Sequence, residues 1–177
     1  MEQYIALLRG INVGGHRIIK MEHLKEVFYS MEFKSVQTYI QSGNIVFETK
    51  RTDVTVLQQK IEQQLYDVYG FEVTTFIRTV KEIEQVIENN PFKASEIPTA
   101  NQPYVTFLHT PPTAAQTELL LSLNNEVDIF RVAGSEVYSV TYKDKGKSVF
   151  SANFIEKKLK KPATARNWLT VQKLLTF

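Results

Sequence analysis

The chain has no cysteine, which excludes disulfide scaffolds, thiolate zinc sites, iron–sulfur clusters and cysteine nucleophiles, and removes any need for an oxidising compartment. Glycine and proline are sparse, seven and six in 177 residues, so the sequence is neither collagen-like nor a disordered Pro/Gly-rich tract. No apolar run approaches the roughly 20 residues that a membrane span requires. The opening Met1-Glu2-Gln3-Tyr4-Ile5-Ala6-Leu7-Leu8-Arg9 is too short and too acidic at its start for a secretory signal. The expectation is a cytoplasmic protein without a membrane association. The three histidines, His16, His23 and His109, are scattered and show no HxH, HExxH or EF-hand spacing, so no metal is expected. GxSxG, GxGxxG and Walker A patterns are also missing, which argues against a standard nucleotide fold; no cofactor is implied, and whether the protein is an enzyme stays open.

What is present is the composition of an ordinary globular protein, with 43% hydrophobic and 23% charged residues, enough apolar surface for one domain or two small ones. The net charge of +2 hides an asymmetry: from Lys143 onward nine basic residues stand against two acidic ones, while the preceding chain carries twelve against seventeen. A basic segment of this kind attracts phosphates, nucleic acid or an acidic partner through its summed field, or forms an ordinary solvated helix face. The cluster Lys157, Lys158, Lys160 and Lys161 fits either description.

Periodicity divides the chain into two copies of one pattern. Gln3 to Arg9 reads as a strand entering a breaker-rich loop, Gly10 to His16, and Lys20 to Met31 reads as an amphipathic helix through Met21, Leu24, Val27 and Phe28. Val36 to Ser42 and Ile45 to Glu48 form a hairpin across Gly43-Asn44, expected as a type II′ turn. Thr55 and Gln58 have capping-box spacing ahead of a second helix ending at Gly70, and Glu72 to Arg78 closes the unit. The linking helix from Thr79 with Glu82 stops before Asn89-Asn90-Pro91, and Lys93 to Gln102 has linker composition. The pattern then recurs: a strand Pro103 to His109, a helix from about Thr113 to Leu123, strands Val127 to Val132 and Glu136 to Tyr142, and a helix from Ser151 to Lys160. A final helix is expected from about Ala165 to Leu175, which would leave the second copy without its closing strand.

The expected fold class is therefore α+β, a tandem duplication of ferredoxin-like βαββαβ units whose antiparallel sheets carry helices on one face. Residues 1–79 form the first unit, 80–102 a linking helix and linker, and 103–177 a second, incomplete unit with C-terminal helices.

In such a unit the first and third strands are neighbours, so the loop leaving the first meets the turn joining the second and third. This brings Arg9, Asn12, Gly14 and Gly15 beside Gln41, Ser42, Gly43 and Asn44. Two glycines permit positive φ and close approach of a ligand to backbone N–H groups, and Arg9 adds a planar fork suited to phosphate or carboxylate. Arg17 and Lys20 add charge near a helix N-terminus, where the macrodipole favours an anion. The same residues also suit a plain turn and hairpin. A second constellation is Thr164-Ala165-Arg166-Asn167-Trp168, read as a helix start capped by Thr164. Arg166 in its first turn opposes the dipole and so suggests either a bound anion or an ion pair, and Trp168 reads as a core anchor or a stacking platform.

Four segments, Leu7 to Gly15, Tyr39 to Asn44, Asn90-Pro91-Phe92 and Arg166 to Val171, together resemble one family, the widespread and mostly bacterial domain of unknown function numbered sixteen ninety-seven. The resemblance spans nearly the whole chain in order. It implies a duplicated α+β fold of ferredoxin-like units, a cytoplasmic location and no established activity. The family usually reads Thr-Thr-Arg-Asn-Trp-Asn-Thr near its end, and this chain departs from it at Ala165 and Leu169.

The functional expectation is binding of a small anionic, phosphate- or carboxylate-bearing ligand by Arg9, Asn12, Gly14, Gly15, Gln41, Ser42, Asn44, Arg166 and Asn167. The alternatives are a nucleic-acid-binding module, with Tyr4, Tyr39, Phe47 and Phe76 as stacking candidates, or an interaction scaffold without a ligand.

Overall fold

The computed structural model describes residues 1–97 and 101–177, and part of the expected linker between Lys93 and Gln102 therefore lies outside the described residues. The fold is α+β, with two four-stranded antiparallel sheets and six α-helices among the described residues, in two similar halves. Met1–Glu84 and Leu174–Phe177 form one compact unit, and Gln85–Lys173 the other.

The first unit runs β1 (Glu2–Leu8), α1 (Met21–Ser30), β2 (Lys34–Tyr39), β3 (Asn44–Thr49), α2 (Val54–Tyr69) and β4 (Thr75–Thr79), in the sheet order β2-β3-β1-β4. Alternation on the strands sends Tyr4, Ala6, Leu8, Ile45, Phe47 and Ile77 to the helical face, where they meet Leu24 and Phe28 of α1 and Leu57, Ile61 and Leu65 of α2. Val80–Glu88 (α3) follows β4 directly, and its Thr79–Glu82 capping box closes at both ends, with Glu82 N donating to Thr79 Oγ1 at 3.2 Å and Thr79 N to Glu82 Oε2 at 2.7 Å.

Two local expectations change here. Asp53, not Thr55, caps α2: its Oδ1 accepts from the amides of Thr55 and Val56 at 2.8 and 3.3 Å. The hairpin is not a two-residue type II′ turn, because Tyr39 pairs with Asn44 and the loop is residues 40–43. Asn44 is the first residue of β3, and its Nδ2 donates to Tyr39 O at 2.8 Å and Ser42 Oγ at 3.0 Å, closing the wider loop from within.

The second unit runs β5 (Tyr104–Leu108), α4 (Ala114–Leu121), β6 (Asp128–Ala133), β7 (Glu136–Thr141), α5 (Ala152–Leu159), β8 (Ala163–Asn167) and α6 (Trp168–Lys173), in the order β6-β7-β5-β8. The second copy is thus complete in strands, which corrects the incomplete unit expected from sequence. Residues 163–167 pair along β5 from Leu108 opposite Ala163 to Tyr104 opposite Asn167. Two alanines on one face of so short a strand resemble a helix start, and only β5 supplies the hydrogen bonds that decide otherwise. Thr164 is accordingly a strand residue, and Asn167 caps α6 by accepting from Thr170 N at 2.8 Å.

The Asn90-Pro91-Phe92 segment is anchored in the same unit. Asn90 Oδ1 accepts from Phe92 N at 3.0 Å, and the buried Phe92 ring lies 4.5 Å from the Arg131 guanidinium. Arg131 in turn pairs with Glu96 at 2.5 Å and holds its carboxyl below the ordinary value.

Candidate functional site

At one end of the first sheet, β1 passes its hydrogen bonding directly to the neighbouring loops. Leu7 pairs with Asn44, Leu8 N donates to Gly43 O at 2.8 Å, and Arg9 N donates to Thr74 O at 2.9 Å. The chain then folds into a miniature hairpin. Asn12 N donates to Arg17 O at 3.2 Å and His16 N to Val13 O at 3.1 Å, with Gly14 and Gly15 at the tip at φ +59° and +77°. Positive φ at both central positions is what a tight turn of this hand demands, so the glycine pair has a local reason to exist.

The hairpin is held by Asn12. Its Nδ2 donates to Ile19 O at 3.0 Å and Gln41 O at 2.9 Å, and its Oδ1 accepts from Ile19 N at 2.8 Å. One side chain therefore ties both ends of the loop to the 40–43 loop, and its own φ of +55° is one that asparagine tolerates better than most residues. Gly43 has no spare room: a Cβ there would stand 2.7 Å from Ile11 Cδ1 and 2.8 Å from Leu8 Cβ.

Seven of the nine residues singled out from sequence thus come together at this end: Arg9, Asn12, Gly14, Gly15, Gln41, Ser42 and Asn44. Their roles divide. The amides of Asn12 and Asn44 face main chain and Ser42, Ser42 Oγ accepts from Asn44, and Gln41 receives Asn12 at its carbonyl. Gly10, His16, Arg17 and Lys20 are exposed around this framework, and Arg9 is half-buried. The Arg17 guanidinium lies over the Phe71 ring at 5.8 Å, and its Nη1 is 3.9 Å from where a Cβ on Gly10 would stand. Helix α1 begins right after this loop with Lys20 in the N-cap position and no side-chain cap, whereas Asp53, Thr113 and Ser151 cap α2, α4 and α5.

Arg166 and Asn167 belong to the second unit, on β8. Arg166 is 6% exposed. Its Nη1 donates to Thr164 Oγ1 at 2.8 Å and Ala165 O at 2.9 Å, and burial pushes its pKa down to about 10. It is not in the first turn of a helix, so the dipole argument for an anion beside it does not apply. An arginine that sequence reading passed over stands at the matching place in the first unit. Arg78 lies opposite Ile5 as Arg166 lies opposite Val105, and it likewise donates to the preceding carbonyl, Ile77 O at 2.9 Å. The signal was available in the fourth position of each closing strand, Thr75–Thr79 and Ala163–Asn167, but only with the second of these recognised as a strand. Asn167 lines a cavity of about 690 Å³ together with Tyr104, Lys143 and Phe150, none of which the sequence marked out as a site.

Among the stacking candidates, Tyr4, Phe47 and Phe76 are buried, and half-buried Tyr39 packs 5.8 Å from the Phe177 ring. Of the basic cluster, Lys161 donates to Thr110 Oγ1 at 2.7 Å and Lys158 lies over Phe154 at 5.6 Å, while Lys157 and Lys160 are exposed. No helix among the described residues is long and apolar enough to cross a membrane.

A family model described as a protein of unknown function, DUF1697, matches residues 1–138. The solved structure of the conserved bacterial protein SP0830 from Streptococcus pneumoniae is similar over 99% of this chain and 97% of that one, with a TM-score of 0.71 and 20% sequence identity. At that identity the likeness speaks for the fold alone. No curated protein matches the sequence.

Proposed function

The chain belongs to the DUF1697 family of proteins of unknown function, and from that starting point we propose that its first unit binds a small anion, phosphate- or carboxylate-bearing, where the Arg9–Lys20 loop meets the 40–43 loop. The observation that carries this reading is the N-terminus of α1, without a side-chain cap, at the end of a loop that Asn12 holds by hydrogen bonds and that bears Arg17 and Lys20. Free first-turn amides and the positive end of the helix dipole favour negative charge, and two adjacent cations strengthen the field. In this reading Asn12 and Asn44 are positioning residues. They spend their amides on the loop, and so hold the cations and the α1 amides in place without paying an ordering cost on binding. The order β2-β3-β1-β4, repeated as β6-β7-β5-β8, also supports reading both units as ferredoxin-like.

The test is thermal stabilisation of the full chain by inorganic phosphate, sugar phosphates and dicarboxylates, in wild type and in an Arg17→Gln/Lys20→Gln double variant. A ligand present at one hundred times its dissociation constant adds about 2.7 kcal/mol of stability. The expected result is a salt-sensitive rise in melting temperature that the double variant loses. Equal responses in the two proteins, or none in either, would remove the proposal.

A further inference from the structure

The two units carry a cavity at the same corner, and the second unit has enlarged it. In the first unit the corner is formed by Glu2, Tyr4, Thr79 and the start of α2 at Asp53 and Val54, and encloses about 380 Å³. Tyr4 is 1% exposed. Its hydroxyl lies 2.8 Å from Glu2 Oε2 and 3.0 Å from Thr52 O, and accepts from Thr52 N at 3.1 Å, so the Tyr4 hydroxyl is tied to the strand end and to the residues that lead into α2.

Strand register identifies the matching residues in the second unit. Tyr104 lies opposite Asn167 as Tyr4 lies opposite Thr79. Ser139 lies opposite Tyr104 where Phe47 lies opposite Tyr4, and Ala165 takes the place of Ile77. A phenyl ring and a branched aliphatic side chain are thus replaced by a hydroxymethyl and a methyl group. The covering helix is shorter as well: α5 has 8 residues against 16 in α2, about 12 Å of rod against about 24 Å. The connection to that helix, residues 50–53 in the first unit, becomes residues 142–151 in the second. Together these changes open the corner to about 690 Å³ and leave Tyr104 40% exposed.

The enlarged cavity has the features of a preformed site. Asp128 is 1% exposed and accepts from Thr141 Oγ1 at 2.9 Å, Ser148 Oγ at 2.6 Å and Val149 N at 2.8 Å, which pins the 142–151 connection as a wall. On the same sheet face as Tyr104 and Ala165, though not among the lining residues, Ser139 and Thr106 are 1% and 0% exposed, and their hydroxyls have no partner among the described residues. Orphaned buried hydroxyls are uncommon in a face built only for packing. The helical face of the first sheet has Phe47 and Ala6 at these two positions.

The chemistry of the lining is specific. The Tyr104 and Phe150 rings, with centroids 5.3 Å apart, form an aromatic wall open to solvent on the Tyr104 side. Lys143 brings a cation, Ser151 and Ala152 bring the N-terminal end of α5, and no carboxylate among the described residues lines the cavity. Asn101, Gln102 and Asn167 add side-chain amides, and since Asn167 Oδ1 is taken by Thr170 N, its NH₂ is the group left to donate. We infer that this second-unit cavity binds a small planar aromatic molecule carrying one phosphate or carboxylate, its ring against Tyr104 and its anion toward Lys143. The volume falls inside the range of about 300 to 1,000 Å³ usual for small-molecule sites.

Calorimetric titration and thermal shift of the full chain test this with four probes: adenosine 5′-monophosphate, 4-hydroxybenzoate, adenosine and inorganic phosphate. The expected result is binding of the first or the second, which tells phosphate from carboxylate, with adenosine and phosphate alone at least about tenfold weaker, the loss typical of one charge-assisted contact. Lys143→Gln, a change at an exposed side chain, should weaken the preferred probe by about tenfold, and Ala165→Ile, which restores the bulk of Ile77, should abolish binding without lowering the melting temperature. The Arg17→Gln/Lys20→Gln variant should bind as wild type does, which separates this site from the first-unit anion site. Failure of both aromatic anions to bind at millimolar concentration, or undiminished binding in Lys143→Gln, would overturn the inference, and a misfolded Ala165→Ile would leave the Lys143→Gln result to decide.

Discussion

Replacing Asn12 by alanine removes three hydrogen bonds at once: the two from Nδ2 to Ile19 O and Gln41 O, and the one from Ile19 N to Oδ1. Each is worth about 1 kcal/mol net, and placing alanine at a φ of +55° adds roughly 1 kcal/mol. The side chain is half-buried, so water recovers part of the loss, and the expected cost is about 2 to 4 kcal/mol. Asn12→Gly loses the same bonds but not the conformational penalty, so it should be about 1 kcal/mol milder. Asn12→Asp keeps the acceptor for Ile19 N yet sets a carboxylate against two carbonyl oxygens. Its folded-state pKa should rise above the unfolded value, so the variant should be most stable in acid and should lose stability as pH climbs through the folded pKa. Urea denaturation followed by circular dichroism measures the free energies, and hydrogen exchange at the Ile19 amide reports the clamp itself. A loss below about 0.5 kcal/mol for Asn12→Ala, with unchanged Ile19 exchange, would refute the assignment of Asn12 as the residue that holds the loop.

Gly43 and Gly15 share a φ of +77° but differ in surroundings, since a Cβ on Gly43 meets Ile11 and Leu8 below 3 Å and one on Gly15 meets nothing within 4 Å. Gly15→Ala should therefore cost about 1 kcal/mol, and Gly43→Ala about 2 to 5 kcal/mol once overpacking is added. Equal costs by thermal denaturation would contradict the close packing. The Tyr69 hydroxyl is buried with no partner among the described residues, and burial pushes its pKa up to about 12 from 10.0. Tyr69→Phe should be neutral or up to about 1 kcal/mol stabilising near pH 7. Because the folded pKa is raised, what the protonated phenol contributes is held below pH 10 and lost as pH rises from 10 to about 12. The phenylalanine variant should lack that part of the alkaline loss of stability, and parallel pH curves for the two proteins would dispose of the argument.

Several elements could be read directly from local pattern because their causes are local. The Thr79–Glu82 box and Gly70 in the left-handed conformation at the end of α2 both depend on residues within one helical turn. The meeting of the Arg9–Gly15 loop with the Gln41–Asn44 stretch followed from topology, since antiparallel β1 and β3 must bring the end of one to the start of the other. Where two local patterns compete, the reading failed. Asp53 outbid Thr55 as the α2 cap, and a two-residue turn at Gly43-Asn44 gave way to residues 40–43 because Asn44 does more as the first residue of β3, where its amide reaches Tyr39 O.

The order of amino acids determines by itself that this protein has two βαββ-type halves, which positions are apolar and which cations gather near the start of α1, because periodicity, capping and charge are properties of neighbouring residues. Only the tertiary structure decides that residues 163–167 are a strand, since their hydrogen bonds lie on β5, some sixty residues away. It alone decides which polar groups remain for a ligand. Whether Asn12 meets a carbonyl, or Tyr104 lies beside Ser139 where Tyr4 in the other half lies beside Phe47, turns on distances of a few ångströms that distant segments set when they pack.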